Sequence, residues 1–190
     1  YIEFNDVAEN YERGLDIKTG IAFSSYKSAF GLTNREAFFS YPDNVFAYRV
    51  KTEKPKDLRV RAEIPYLGVR SADDGGRTGE IFANDGCIEI KGTLPSRNLS
   101  YDAKVAVITD GEKTIENDEI VVRNALYAVI LLVFDTSYKL CPEAFSTHRA
   151  VGEDPTEKVA SRLVAALKLG YEKLKERHIA DFSSIMNRVE

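Results

Sequence analysis

REAFFSYPDNVFAYRV, residues 35–50, predicts two antiparallel strands, Arg35 to Ser40 and Asn44 to Val50, joined by a tight reversal at Tyr41-Pro42-Asp43. Proline fixes φ for the second position of a type I or II turn, and an aspartate can bond its own backbone on the exit side. In the second arm Phe46, Tyr48 and Val50 point one way, and Val45, Ala47 and Arg49 the other. That is the period of two of a pleated strand. Its aromatic and β-branched residues bury enough surface to anchor a sheet.

Further strands are predicted on both sides of this pair. Upstream lie Tyr1 to Phe4, then Tyr11 to Gly20 with Leu15 and Ile17 on one face and a turn at Thr19-Gly20, then Ile21 to Ser28. Downstream, the charged run KTEKPKD is expected to be a turn. A strand then places Leu58, Val60, Ala62 and Ile64 inward and is stopped by Pro65, which cannot donate to a ladder. Residues 68–86 are expected to be loop, broken by Gly75-Gly76 and Asn84-Asp85-Gly86. Short strands follow at Cys87 to Lys91 and Tyr101 to Thr109, with Asp110-Gly111 as a two-residue hairpin signal and a short arm to Glu116. After a turn at Asn117-Asp118 come Glu119 to Val122 and a separate strand, Leu126 to Phe134. The last is apolar on both faces and should be central and covered on both sides. Many short strands with no helices between them predict a mainly β fold, an antiparallel β-sandwich of two packed sheets.

The pattern changes after Asp135. Residues 139–156 carry Pro142 and Pro155 without periodicity and are expected to be a crossing loop. Asp154-Pro155 starts a helix, with Asp154 as N-cap and Pro155 at the first helical position. Val159, Leu163, Ala166, Leu167, Gly170, Tyr171 and Leu174 then share one stripe, with Glu172, Lys173, Lys175, Glu176 and Arg177 largely off it. A second short helix is expected through Phe182, Ile185 and Met186. The division is therefore a sandwich over residues 1–138 and a loop with helical linker over 139–190.

Composition excludes some functions. The chain has 190 residues, 44% hydrophobic and 29% charged, with a net charge of −4, as in ordinary globular domains. Without a basic stripe to neutralise phosphates, no nucleic-acid partner is expected. The longest apolar run, Ala125 to Phe134, is about half a membrane span, so no membrane partner is expected either. Cys87 and Cys141 form no CxxC pair; two small buried side chains are expected, with a disulfide or reactive thiol as alternatives. The chain opens at Tyr1, in mid-strand and without Met, as an excised piece would. Its compartment is not written in the sequence.

Chemistry-bearing patterns are sparse. Asp73-Asp74 beside Gly75-Gly76 is the most suggestive acidic pair, and its plain interpretation is a solvated loop. Two histidines cannot build a metal cluster of the usual kind. His148 is expected at the surface of the crossing loop. His178 is expected at a helix end, where the dipole favours a cation, with Asp181 nearby in a structural role. Thr114 and the other hydroxyls lack a nucleophile elbow, and GGRTG lacks the lysine of a phosphate loop. Phe23, Phe38, Phe46 and Tyr48 lie in strand patterns and are expected in the core rather than on a ligand.

The ordered landmarks nevertheless carry a resemblance. Tyr11, Arg13, Leu15, Asp16, Ile17, Thr19 and Gly20 come first, then Tyr26. Arg35, Glu36, Phe39, Pro42, Asp43 and Arg49 follow, then Asp135-Thr136 with Tyr138, and finally His178, Asp181-Phe182 and Asn187-Arg188-Val189. Taken together they resemble the N-terminal β-sandwich domain of glycoside hydrolase family 95, over nearly the whole chain. The resemblance implies a parent that hydrolyses α-L-fucosyl or α-L-galactosyl linkages with inversion and with no metal or other cofactor in the chemistry. Its catalytic glutamate, aspartate and asparagine lie in a helical (α/α)6 barrel beyond this segment, so no catalytic residue is expected here.

Within that frame Arg13, Asp16, Arg35 and Glu36 form strand-to-strand ion pairs that fix register, or face the absent barrel; both interpretations stay open. The chain is expected to be an accessory domain that docks on the barrel, itself inactive, with fucosylated or galactosylated glycans met through the parent enzyme. The alternative is a stand-alone carbohydrate-binding module, which needs exposed aromatics on a sheet face or groove. Apolar side chains from Ile179 to Val189, meant for the barrel, should leave a patch larger than a monomer tolerates and cause self-association. Solution scattering checks this: a strict monomer at high concentration is the contrary outcome.

Overall fold

The computed structural model of the chain describes residues 1–3, 7–64, 76–84 and 86–188. In order along the chain, the strands are β1 (Ile2–Glu3), β2 (Glu9–Asp16), β3 (Ile21–Ser28), β4 (Gly31–Ser40) and β5 (Val45–Val60). They continue with β6 (Thr78–Asn84), β7 (Cys87–Leu94), β8 (Leu99–Thr109), β9 (Glu112–Glu116) and β10 (Glu119–Thr136). Three helices close the chain: α1 (Pro142–Thr147), α2 (Thr156–Leu169) and α3 (Tyr171–Met186). The fold is mainly β and antiparallel. The hydrogen-bonded order is β2-β3-β4-β5-β10-β8-β7-β6, with β1 added to β5 and β9 to β10.

Two long strands make the layers. The first half of β5 pairs with the second half of β10, from Lys51 opposite Tyr127 to Phe46 opposite Leu132. The second half of β5 pairs with the first half of β10, from Lys56 opposite Ala125 to Val60 opposite Ile120. Between them the register shifts twice, at Val122/Ala125 and Ala125/Tyr127. Extra residues at such a bulge bend the ribbon. Carboxylates hold the bend: Asp57 accepts the Asn124 amide, and Asp110 accepts the amides of Leu126 and Tyr127. Asn124 sits there at φ 56°, a left-handed conformation that asparagine tolerates.

The bend brings Leu58, Val60, Ile120 and Val122 into one cluster with Val50 and Ile130, on one face of the sheet. On the other face Val45, Ala47, Val129, Leu131 and Val133 pack with the helices. β10 is thus covered on both sides, and its alternate residues feed two cores.

Several local expectations are corrected. KTEKP is not a reversal: β5 runs through it, with Pro55 at the bulge where β10 needs no amide donor. The strand ends at Val60 rather than Ile64, and Pro65 lies outside the described residues. Part of the expected loop 68–86 is β6, paired with β7 from Thr78–Thr93 to Asn84–Cys87. Asp110-Gly111 does not close a hairpin, because β8 and β9 both pair with β10. The hairpin is β9–β10, with Asn117 and Asp118 at φ 52° and 60° in its two-residue loop. Glu119 to Val122 and Leu126 to Phe134 are one strand, β10.

Among the helices, α1 occupies part of the expected crossing loop. Asp154 caps α2 by accepting the Thr156 amide, with Pro155 at the cap position, one residue off the expected frame. The stripe from Val159 to Leu174 is buried at Val159, Leu163, Ala166, Tyr171 and Leu174, but two helices share it. They break at Gly170, with φ 75° and ψ 164°, a region open essentially to glycine. α3 is consequently a full helix rather than a short one.

A Cβ at Gly170 would meet open space, so the cost of substituting it is backbone strain alone. Gly170→Ala is expected to lower unfolding stability by about 1–3 kcal/mol. The measurement is urea unfolding with an unchanged m-value; an unaltered midpoint would show that the helix break does not depend on this residue.

Candidate functional site

Register brings the landmark residues into two groups on opposite faces of the β2–β5 sheet. The first is a polar clamp beneath α3. Glu36 on β4 and Arg49 on β5 are directly paired across the strands and form an ion pair at 2.6 Å. The Glu36 carboxylate also accepts the Tyr171 hydroxyl at 2.8 Å and the Lys175 ammonium at 2.9 Å. The Arg49 guanidinium lies over the Tyr171 ring, 4.2 Å from its centroid, and donates to Glu172. Asp43, in the β4–β5 turn, accepts the Ser40 hydroxyl and the Arg177 guanidinium at 2.6 and 2.9 Å. Burial pushes the Glu36 carboxyl up, but the bonds from Lys175 and Tyr171 and the Arg49 charge outweigh it and hold it below its ordinary value. Burial and the same bond push the Tyr171 phenol well above its own.

The second group surrounds a cavity of about 430 Å³ on the other face. Arg13, Ser24 and Arg35 lie opposite one another on β2, β3 and β4. Ala22, Ala37 and Tyr48 form the next row. Small side chains at Ala22, Ser24 and Ala37 leave a hollow, and Tyr11, Arg13, Arg35 and Tyr48 wall it. Arg35 donates to the Tyr26 hydroxyl at 2.6 Å and lies over that ring, while Tyr11 stands 6.3 Å from it. Burial pushes the Tyr48 phenol up to about 12, so it is a hydrogen-bonding hydroxyl at every physiological pH. Glu36 borders the cavity, but its carboxylate is engaged in the clamp.

A third cluster lies under α2. Asp102 on β8 is 1% exposed, and neither carboxyl oxygen has a hydrogen-bond partner among the described residues. Burial and the Glu89 charge raise its pKa, and the Lys104 and Lys91 charges oppose this without reversing it. Glu89 is engaged by Lys104 and Lys91. Asp135, opposite Asp102, is bound by Lys158 and Arg162 of α2 at 2.6 and 2.7 Å.

The remaining candidates fall elsewhere. Asp16 accepts the Lys18 amide in the β2–β3 turn, and Pro42 is exposed in the β4–β5 turn. His178 is not at a helix end: α3 continues for eight more residues, to Met186, so the dipole argument does not apply. It is buried and stacks on Phe38 with centroids 4.8 Å apart. No hydrogen bond joins it to Asp181 among the described residues. His148 is exposed. Phe38 is core and Phe46 and Tyr48 are half-buried, but Phe23 is 40% exposed and lies across Gly14, where a Cβ would fall 2.7 Å from its ring. Cys87 and Cys141 are free thiols, both half-buried. Asp73-Asp74 lies outside the described residues. Among the described residues no cluster of His, Cys, Asp and Glu is arranged to hold a metal, and no helix is long and apolar enough to cross a membrane. Tyr171, Lys175 and Arg177 were not singled out as site residues from the sequence; the i, i+4 step from Tyr171 to Lys175 was the available signal.

A bent antiparallel sheet backed by C-terminal helices is a fold with solved counterparts. The fold is similar, at a TM-score of 0.61 and 10% identity, to a solved structure titled "Putative kojibiose phosphorylase from human microbiome", over 94% of this chain and 25% of that one. The profile of the glycosyl hydrolase family 65, N-terminal domain matches residues 2–140, and the chain belongs to that family. Full-length relatives include "Alpha-L-fucosidase 2" of Arabidopsis thaliana, 23% identical over 95% of this chain, and "Probable alpha-fucosidase A" of Aspergillus niger, 25% identical over 98%. The chain spans 23% of the length of each of these relatives. It is thus similar, as its landmarks suggested, to the N-terminal part of fucosidases.

Opposite pKa shifts give opposite pH signatures. Glu36, depressed in the folded state, contributes stability above its unfolded value that is lost as pH falls through the folded one. Asp102, raised, penalises folding as pH rises through its folded value. Asp102→Asn is therefore expected to raise the thermal midpoint at pH 7, with the gain vanishing as pH falls below the ordinary value of 3.8. Glu36→Gln is expected to lower the midpoint at pH 7 and to converge on the parent in acid. Thermal unfolding across pH measures both.

Proposed function

We propose that this chain is a non-catalytic N-terminal domain of a glycoside hydrolase whose complete protein removes terminal α-L-fucosyl or α-L-galactosyl groups with inversion. The observation that carries the non-catalytic reading is the fate of the cavity's acidic neighbour. Inverting hydrolysis needs two carboxyl groups about 6.5–9.5 Å apart, across a gap that admits water. Glu36 is the acidic residue lining the cavity, and its carboxylate is committed to Arg49, Tyr171 and Lys175 on the helix face. The fucosidase relatives, of which the chain spans about a quarter, support the parent's class.

The segment's work in this reading is docking. Residues 1–138 form the sandwich, and 139–190 lead the chain along its helix face toward a barrel domain. Apolar side chains stand ready for such a contact. Phe39 and Phe134, on the sheet face opposite the helices, are 42% and 52% exposed with ring centroids 6.1 Å apart, and Leu140, Phe145 and Ile185 are exposed in the C-terminal segment. Of the linker residues, Ile179 and Phe182 are half-buried, Ile179 against the sheet core, and Ile185 is 56% exposed.

Incubated alone with an aryl α-L-fucoside, the 190-residue chain is expected to show no turnover, while the complete protein turns it over. In the complete protein, Phe134→Asp is expected to lower the thermal midpoint without altering the isolated chain. Turnover by the chain alone overturns the reading.

A further inference from the structure

We propose that the cavity walled by Tyr11, Arg13, Arg35 and Tyr48 is a binding site for an acidic sugar, a pyranose carrying a carboxylate. Its volume, about 430 Å³, falls in the range of small-molecule sites and suits one or two sugar rings rather than an extended peptide. Its floor of Ala22, Ser24 and Ala37 keeps bulk out of the centre. The sheet supplies the walls on four adjacent strands, so the groups are held by ladder hydrogen bonds and not by mobile loops.

Charge selects the ligand class. Two guanidinium groups stand on one row of the sheet, Arg13 opposite Ser24 opposite Arg35, in a chain whose net charge is −4. Guanidinium groups match planar carboxylates with paired N–H donors. The only carboxylate bordering the cavity among the described residues, that of Glu36, is bound on the opposite face. Arg35 is oriented by the Tyr26 hydroxyl, and Arg13 is exposed at the cavity mouth with no ion pair among the described residues. Two phenols complete the site. Tyr11, 53% exposed, offers a ring face to the C–H side of a pyranose, and the Tyr48 hydroxyl stays protonated to bond a sugar hydroxyl.

The choice of a sugar over another carboxylate rests on the glycan-handling reading above, whereas the site itself rests on the cavity. The test keeps them apart, because it reads binding by this chain and not turnover by a parent. NMR titration of the labelled chain uses methyl α-D-glucuronide, its neutral counterpart methyl α-D-glucoside, and sodium acetate. Saturable shifts are expected with the uronide, with affinity at least ten-fold above that for the glucoside or for acetate. Arg13→Ala and Tyr11→Ala, both at exposed positions, are each expected to weaken it ten-fold or more. Arg13→Lys, which keeps charge but loses the paired donors, is expected to recover only part. Equal affinity for the glucoside removes the acidic class, equal affinity for acetate removes the sugar, and no saturable binding removes the site. Fucosidase turnover by the complete protein is unaffected by any of these outcomes.

Discussion

A strand without a polar face must be covered twice. β10 is 18 residues long, and Ala128 and Ile130 on one side are as deeply buried as Leu131 and Val133 on the other. One flat sheet with helices on one side would leave half of these in water, at a cost of roughly 1.5–3 kcal/mol for each large side chain. The chain meets the demand by bending β5 and β10 together. Their own other halves then return as the second cover, leaving the first face for α2 and α3. The bulge at Asn124, with Asp57 and Asp110 on its amides, is the hinge of that solution. The layers are therefore not independent sheets placed face to face; they share their two longest strands.

Seen this way, the two groups of landmark residues are consequences of pleat and register. Glu36 and Arg49 are neighbours across one ladder and emerge toward the helices, while Arg35, one residue earlier, emerges on the opposite side. A polar clamp and an open hollow thus lie back to back, separated by the thickness of one sheet. The clamp sets α3 on the sheet through groups that are half-buried and mutually satisfied. Such pairs contribute modestly to stability but fix orientation. The hollow persists because its floor residues are small.

Much of this was legible in the sequence. The alternation from Phe46 to Val50, the two-faced apolar run of β10 and the Asp154 helix start are all local patterns with direct structural causes. What was not legible depends on distant partners. KTEKP looks like a turn because charge and proline cluster there, and only the β10 bulge shows why a strand can pass through it. Asp110-Gly111 resembles a hairpin, yet its flanking strands both pair with β10, a choice made by long-range pairing. The single helical stripe conceals a break, since Gly170 lies on the same periodic face as its neighbours. His178 looked terminal only because one helix was expected to end there and a second, short one to begin beyond it, whereas α3 runs through both. The clamp joins the β4–β5 hairpin to α3 across 123 or more positions, and Tyr171 and Glu36 are 135 apart; no spacing rule reaches that far. The cavity exists only once β2, β3 and β4 are in register.

The helix-facing row of β10 has a consequence for the chain during its synthesis. Val129, Leu131 and Val133 are sealed by Val159, Leu163 and Leu174, which the ribosome delivers later. Until those residues leave the exit tunnel, the nascent sheet carries a bare apolar stripe along its middle strand. The β-rich portion therefore cannot seal this face until some forty more codons are translated and α2 and α3 arrive.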